Sequence, residues 1–406
     1  MASAPPIPTL AEIVESPYAL LASVLPEASS ITSVTTEVVS GGLACELNRL
    51  HIAYVPQATS SSSTSAKVTL YAKTNKRGEV AEKQATSLGT AREALLYSRF
   101  APRLQSVLPV GSLPNVRFSV GDFSNGRKLI LLDEIPEATD SGLVFGMGSP
   151  LNWSRAEKVA AAASLATPEE AAASAFSLAA RMHALFWNDD TLLPFEWLNG
   201  TSARGGGKGL VAGEADFWTS QHHVRDAWKQ FLNGEGPAVG VEFDPRLVEA
   251  INASLEKTSW TDYIAGVNGG PFTLCHGDFH PGNIVIARRD ALHSTLLDFE
   301  AIGVGSGPQD LAQYLISHMA PVARRECEHR LLETYHAELV SQGVSDYTFE
   351  TCWSDYVAGG VGRWVWLLCV IVQMAPAPMC KYFGDQLLAF MLDHDVTKSN
   401  IVMPRV

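Results

Sequence analysis

The stretch from Pro271 to Glu300 constrains the chain most; it reads PFTLCHGDFHPGNIVIARRDALHSTLLDFE. An apolar strand from Phe272 to Cys275 ends on His276-Gly277-Asp278, and Asn283 follows that aspartate by five residues. A second apolar strand (Ile284 to Ile286), a charged turn and a third strand (Thr295 to Leu297) then lead to Asp298. Short apolar runs bounded by turn residues read as buried strands, and such strands present polar side chains where they end. The pattern therefore predicts a short loop carrying Asp278 and Asn283 together, with a hairpin that brings Asp298 opposite them.

The rest of the chain supplies enough apolar surface to bury such a segment. Of 406 residues, 46% are hydrophobic and 18% charged, which excludes wholesale disorder and a fibrous repeat. The length is consistent with two or three folding units. A formal charge of −13 argues against nucleic acid or an anionic membrane surface as a partner, because such a surface repels phosphates. The six cysteines have no CxxC spacing, so reduced thiols are expected. The start of the sequence has no basic stretch followed by an apolar core, and a cytoplasmic location is the expectation. The most apolar window, Trp364 to Val372, is followed by a glutamine and two prolines. It is about half of the ~20 residues that span a bilayer, so it reads as a buried core helix. The sequence says nothing of oligomeric state.

The organisation changes along the chain. Thr32 to Val39 is β-branched, Leu50, Ile52 and Tyr54 alternate, and Ala66 to Lys73 alternates, with the polar run Ser60 to Thr64 as a hairpin loop between strands. A helix from about Thr90 to Leu104 precedes strands near Arg117 to Val120 and Lys128 to Leu132. After residue 150 the chain turns helical. Thr167-Pro168-Glu169-Glu170 has the form of a capping box that opens a helix running to about Trp187. Further helices follow from Leu311. The glycine-rich Gly200 to Gly209 fails the Walker pattern at the first glycine (Ser202) and at the hydroxyl position (Gly209), and reads as a flexible loop. The fold class is α+β: a strand-rich N-terminal lobe over residues 1–134, a hinge at 135–140 and a helical lobe over 141–406.

The Asp278–Asn283–Asp298 spacing suits phosphoryl transfer. That reaction requires one carboxylate to orient and deprotonate an acceptor hydroxyl, and hard oxygen ligands to hold Mg²⁺ against a triphosphate. HGDFHPGN, then LLDFE, then Pro308-Gln309-Asp310-Leu311-Ala312 resembles the aminoglycoside phosphotransferase / choline kinase superfamily. Within it, Arg181-Met-His-Ala-Leu-Phe-Trp187 and Glu93 in AREALLYSRFAPRL resemble the ecdysteroid-kinase-like branch. The resemblance covers roughly residues 35 to 395. It implies a two-lobed protein-kinase-like fold with an antiparallel sheet and one main helix in the smaller lobe. It further implies ATP and Mg²⁺ as cofactors and a small-molecule alcohol as acceptor, whether steroid, amino-alcohol, aromatic alcohol or antibiotic. Asp278 is then the catalytic base, and Asn283 and Asp298 the metal ligands. Glu300 is either a metal ligand, directly or through water, or a surface residue.

Other parts can be sought on the residues themselves. On the third strand Thr69, Tyr71 and Lys73 share a face, and Lys73 has Lys67 and Lys76 as rivals for the phosphate-binding lysine; the family pattern favours Lys73. Glu93 lies on a helical stripe with Leu96, Tyr97 and Phe100, where an unpaired carboxylate is costly, so a Lys73–Glu93 pair is expected. Ser40, Gly41 and Gly42 stand where a phosphate-covering loop belongs, although Gly-Gly between strands is also an ordinary turn. Glu134 and Ile135 follow an apolar strand and resemble an adenine-binding hinge. His276 is expected to brace the catalytic loop, His280 to shape it or face the acceptor, and Asp310 to cap a helix in support of the loop. His183 reads as a core histidine. Trp353, Tyr356 and Trp364 are candidates for the acceptor pocket as well as for the core. Two rival functions keep a place: a metal-dependent phosphoesterase built on His276-x-Asp278-x-His280, and a non-catalytic nucleotide-binding scaffold.

Overall fold

The structure is a computed structural model and describes residues 7–15, 17–41, 45–57, 65–199, 214–288 and 292–405. Gly42, the Ser60–Thr64 run and the Gly200–Gly209 stretch lie outside the described residues. The chain divides into two units. The first comprises Met1–Ser106, Leu113–Glu137 and Phe299–Ala301; the second comprises Val107–Ser112, Ala138–Asp298 and Ile302–Val406.

The first unit runs α1 (Leu10–Glu15), α2 (Pro17–Val24), β1 (Ala28–Gly41), β2 (Cys45–Pro56), β3 (Ala66–Asn75), α3 (Glu79–Leu88), α4 (Arg92–Val107), β4 (Val116–Asp122) and β5 (Arg127–Asp133). The strands form an antiparallel sheet in the order β1-β2-β3-β5-β4. Alternation sorts its two faces. Leu70, Ala72, Leu129 and Leu131 turn to one side, where they join Leu50 and Ile52 and pack with Ile13, Leu21, Val24 and Leu25 from the N-terminal helices. Lys73 pairs in register with Ile130, so Lys73, Ile130 and Lys128 share the opposite side. Three helices beyond the expected α4 are present. Prolines at 8, 17 and 26 punctuate α1 and α2 and disguise them as loop, while α3 buries only Ala85 among polar residues.

The second unit runs β6 (Thr139–Asp140), α5 (Ala156–Ala162), α6 (Pro168–Leu185), α7 (Glu196–Asn199), α8 (Glu214–Leu232), α9 (Pro245–Glu256) and α10 (Trp260–Gly269). It continues with β7 (Thr273–Cys275), β8 (Ile284–Arg288), β9 (Leu292–Leu296) and β10 (Gly303–Gly305). It closes with α11 (Gly307–His318), α12 (Pro321–Ser341), α13 (Phe349–Ile371) and α14 (Ala377–Asp393). The capping box forms at α6: Thr167 accepts from the Glu170 backbone, and the Glu170 carboxylate accepts from the Thr167 backbone. Short strands pair as β10-β7 and β6-β8-β9. Glycines in α13 let α11 approach closely, since a Cβ on Gly360 would stand 2.7 Å from the Ala312 Cβ. The six cysteines are buried free thiols. Among the described residues no helix is long and apolar enough to cross a membrane, and most of the apolar window at 364–372 lies within α13.

Candidate active site

In the second unit, β7 pairs with β10 through Cys275 and Gly303 and delivers the loop that starts at His276. Gly277 takes a left-handed φ of 78°, which costs a residue without Cβ nothing. The backbone amides of His276 and Gly277 both donate to the Asp310 carboxylate, at 2.7 and 3.0 Å. Asp310 is not the cap of its helix: Ser306 holds that position, and Asp310 lies in the first turn. The aspartate spends its oxygens on another segment's orphan amides rather than on its own helix. His183 supports it from behind, with Nε2 3.4 Å from Asp310 and Nδ1 2.9 Å from the Tyr335 hydroxyl. His276 places Nε2 2.9 Å from the Leu297 carbonyl, just before Asp298. Asp298 itself adopts a left-handed φ of 61°, a strained backbone for a non-glycine residue.

Asp278 is held from several sides. Gln313 of α11 donates Nε2 to its Oδ1 at 2.8 Å, and Asn283 donates Nδ2 to its Oδ2 at 3.3 Å and to its carbonyl at 2.9 Å. His280 accepts from the Gly282 amide through Nδ1 at 3.0 Å, which leaves Nε2 towards Asp278 Oδ2 at 3.7 Å. Burial works against a charged His280, but the Asp278 carboxylate, with Asp298 and Asp140, raises its pKa above the ordinary value. Arg363 of α13 is buried and supports the loop indirectly, donating to the Gly277 carbonyl at 3.0 Å and to Gln313 Oε1 at 3.3 Å. Burial lowers its guanidinium to about 10. Behind His280 lies His318, bonded to Ser149 Oγ at 2.9 Å and pushed well below the usual imidazole range by burial.

Asn283 commits its amide nitrogen to Asp278, so its oxygen is the end available to a ligand. That oxygen and the Asp298 carboxylate are hard-oxygen donors, the type that could hold Mg²⁺. Another acidic and imidazole trio, His183, Cys275 and Asp310, brings its ligand atoms within 4.8 Å of one another. Its hydrogen bonds already employ Asp310 and His183, and burial drives the Cys275 thiol well up, so it reads as a brace. His276 and His280 each turn one ring nitrogen to the backbone, at 2.9 and 3.0 Å.

In the first unit, Lys73 Nζ is 2.7 Å from Glu93 Oε2, and a second lysine joins them. Lys128 Nζ is 2.8 Å from the same Glu93 oxygen and 2.6 Å from Glu300 Oε1, which is also 3.0 Å from Lys73. Burial alone would raise both carboxyl groups. Lys128 and Lys73 overcome it and hold Glu93 below the ordinary carboxylate range and Glu300 at about 2. Glu300 is therefore an ion-pair partner within this unit rather than a surface residue. Lys67 is exposed on β3. Ser40 and Gly41 end β1. Glu134 is exposed and accepts from the Tyr71 hydroxyl at 3.3 Å, and Ile135 follows it half-buried.

Two of the acceptor-pocket candidates are core residues. Tyr356 is fully buried and donates its hydroxyl to Glu328 at 2.9 Å, and Trp364, 3% exposed, packs on Phe383 at 5.2 Å. Trp353 lines an open hollow with Asp393 and His394, not with Asp278. Sequence reasoning missed Lys128, Gln313, Arg363 and Tyr335. Arg363 had a signal: a lone cation ahead of the run WVWLLCVIV must have a partner.

Residues 131–344 match the model of the phosphotransferase enzyme family (APH). That is more than half of the chain, and the chain belongs to this family. It is a phosphotransferase acting on hydroxyl groups of small molecules. No curated protein matches it. Among solved structures it is similar to an ethanolamine kinase of Plasmodium vivax, at 12% identity over 90% of this chain and 83% of that chain, with a TM-score of 0.47. A choline kinase from Streptococcus pneumoniae is similar at 11% identity over 95% and 99%, TM-score 0.45. An aminoglycoside phosphotransferase from Streptomyces rimosus, solved with ADP and streptomycin, is similar at 13% identity over 93% and 98%, TM-score 0.34.

Proposed function

We propose that the protein is an ATP- and Mg²⁺-dependent kinase that phosphorylates a hydroxyl of a small alcohol, with Asp278 as its base. The observation that carries this reading is the setting of Asp278: one carboxylate oxygen on Gln313 at 2.8 Å, the other by Asn283 at 3.3 Å, with the side chain still 38% exposed. A carboxylate oriented by neutral donors keeps its charge and its capacity to accept a proton, which a general base requires. Asp278 aligns the acceptor hydroxyl and takes its proton as the γ-phosphoryl group is transferred. Asn283 Oδ1 and the Asp298 carboxylate hold Mg²⁺, which when bound neutralises charge on the triphosphate. Lys73 binds nucleotide phosphate. Ser40, Gly41 and Gly42 cover it, and the backbone at Glu134 and Ile135 pairs with adenine.

The test is a panel of steroid, amino-alcohol, aromatic and antibiotic alcohols with labelled ATP, run with the unaltered protein and with Asp278→Ala and Asp298→Ala. Transfer to at least one alcohol, lost in both variants, is the expected outcome. Unchanged turnover in the variants overturns the assignment.

A further inference from the structure

One lysine suffices to pair Glu93, yet this chain places two on it. Lys73 and Lys128 approach the same Glu93 oxygen, at 2.7 and 2.8 Å, and the same Glu300 oxygen, at 3.0 and 2.6 Å. The four charges alternate around a closed ring and sum to zero. The lysines are not equivalent. The side chain of Lys128 is 0% exposed and that of Lys73 14%. Lys128 stands in β5 two residues before Ile130, the register partner of Lys73, so both lysines rise from one face of the sheet.

We infer that Lys128 is a positioning residue for the nucleotide: it is the standing counter-charge of Glu93 and Glu300, and it frees Lys73 to engage phosphate. The inference rests on the kinase reading above. With Lys128 present, Lys73 can turn away and each carboxylate keeps a cation in contact. Without Lys128, Lys73 becomes the sole counter-charge of two carboxylates in a largely buried site, and turning it to phosphate strands both. A buried charge deprived of its partner is strongly unfavourable. Lys128 touches no phosphate and acts through Lys73.

The experiment measures calorimetric binding of ADP and of ATP with Mg²⁺, together with thermal unfolding. It compares the unaltered protein with Lys128→Met, Glu300→Gln and the double variant Lys128→Met/Glu300→Gln. Lys128→Met is expected to weaken nucleotide binding about tenfold or more and to lower the unfolding temperature. The double variant restores the charge balance and is expected to bind within about threefold of Glu300→Gln alone, a rescue that a purely space-filling role of Lys128 would not give. Binding by Lys128→Met equal to that of the unaltered protein overturns the inference and leaves the kinase reading standing. A double variant as weak as Lys128→Met also overturns it. Should Lys128→Met not fold, the double variant decides alone: it must fold and bind as Glu300→Gln does, or the inference fails. An unaltered protein that binds no nucleotide removes the kinase reading and this inference together.

Discussion

The two units treat a functional carboxylate in opposite ways. Glu93 in the first is 2% exposed and is met by two cations, so its charge is cancelled where it stands. Asp278 in the second is 38% exposed and is hydrogen-bonded by the amides of Gln313 and Asn283, with the His280 imidazole 3.7 Å from it and the Arg363 guanidinium on Gln313 and a backbone carbonyl. The difference separates two tasks. A strut must be neutral overall to survive burial, whereas the base proposed here must leave a carboxylate edge open to the hydroxyl of its substrate.

The comparison can be broken most forcefully at Asp278. Asp278→Asn keeps the shape and removes the base, so kcat should fall by about 10³-fold or more while ADP affinity stays within about twofold. A matching loss of ADP affinity in calorimetry would merge the two tasks. Glu93→Ala comes next. It strips a buried carboxylate from two lysines, and denaturant unfolding should show about 3–5 kcal/mol of lost stability. Gln313→Ala follows: it removes two hydrogen bonds to charged groups, one to Asp278 and one from Arg363, each worth about 1.5–3 kcal/mol, and should lower kcat roughly tenfold or more without moving KM for ATP. Gln313→Glu should be worse than alanine, because it sets a second negative charge against Asp278, and steady-state kinetics separates the two.

Acid gives the most gradual test. Glu93 and Glu300 are held below their ordinary values, so the stability they contribute is present above their unfolded pKa and lost as pH falls through the folded one. The loss should begin near pH 4.5 and continue towards about 2, the folded value of Glu300. Thermal unfolding followed from pH 6 down to about pH 3 should show the decline, and Lys128→Met should shrink it, because without that cation the folded carboxyl groups titrate closer to their unfolded values.

Much of this was legible in the residues. The alternation of β3 told which face Lys73 takes, and the cost of a carboxylate on the stripe of α4 demanded a cation for Glu93. The Asp278–Asn283 spacing implied a shared loop, and Asn283 does bond Asp278. Lys128 was hidden because it precedes the apolar run Leu129 to Leu132 and reads as a charged strand flank. Its partners lie 35 and 172 residues away, beyond any local periodicity. Gln313 was hidden for a similar reason: in the sequence it is one polar residue in a helix, and only the approach of α11 to the loop after β7 makes it the holder of Asp278. Tyr356 and Trp364 stayed open between core and pocket because aromatic residues serve both, and burial assigns them to the core.

Phe299–Ala301 belongs with the first unit although 161 residues part it from Glu137, that unit's preceding segment. A gene fragment stopping at Glu137 would thus encode two lysines facing a single acid, with one positive charge in excess. Such a truncation is a poor candidate for stand-alone production. A splice that grafts Phe299-Glu300-Ala301 onto its end through a flexible tether is the better starting point for anyone wishing to isolate the sheet on its own.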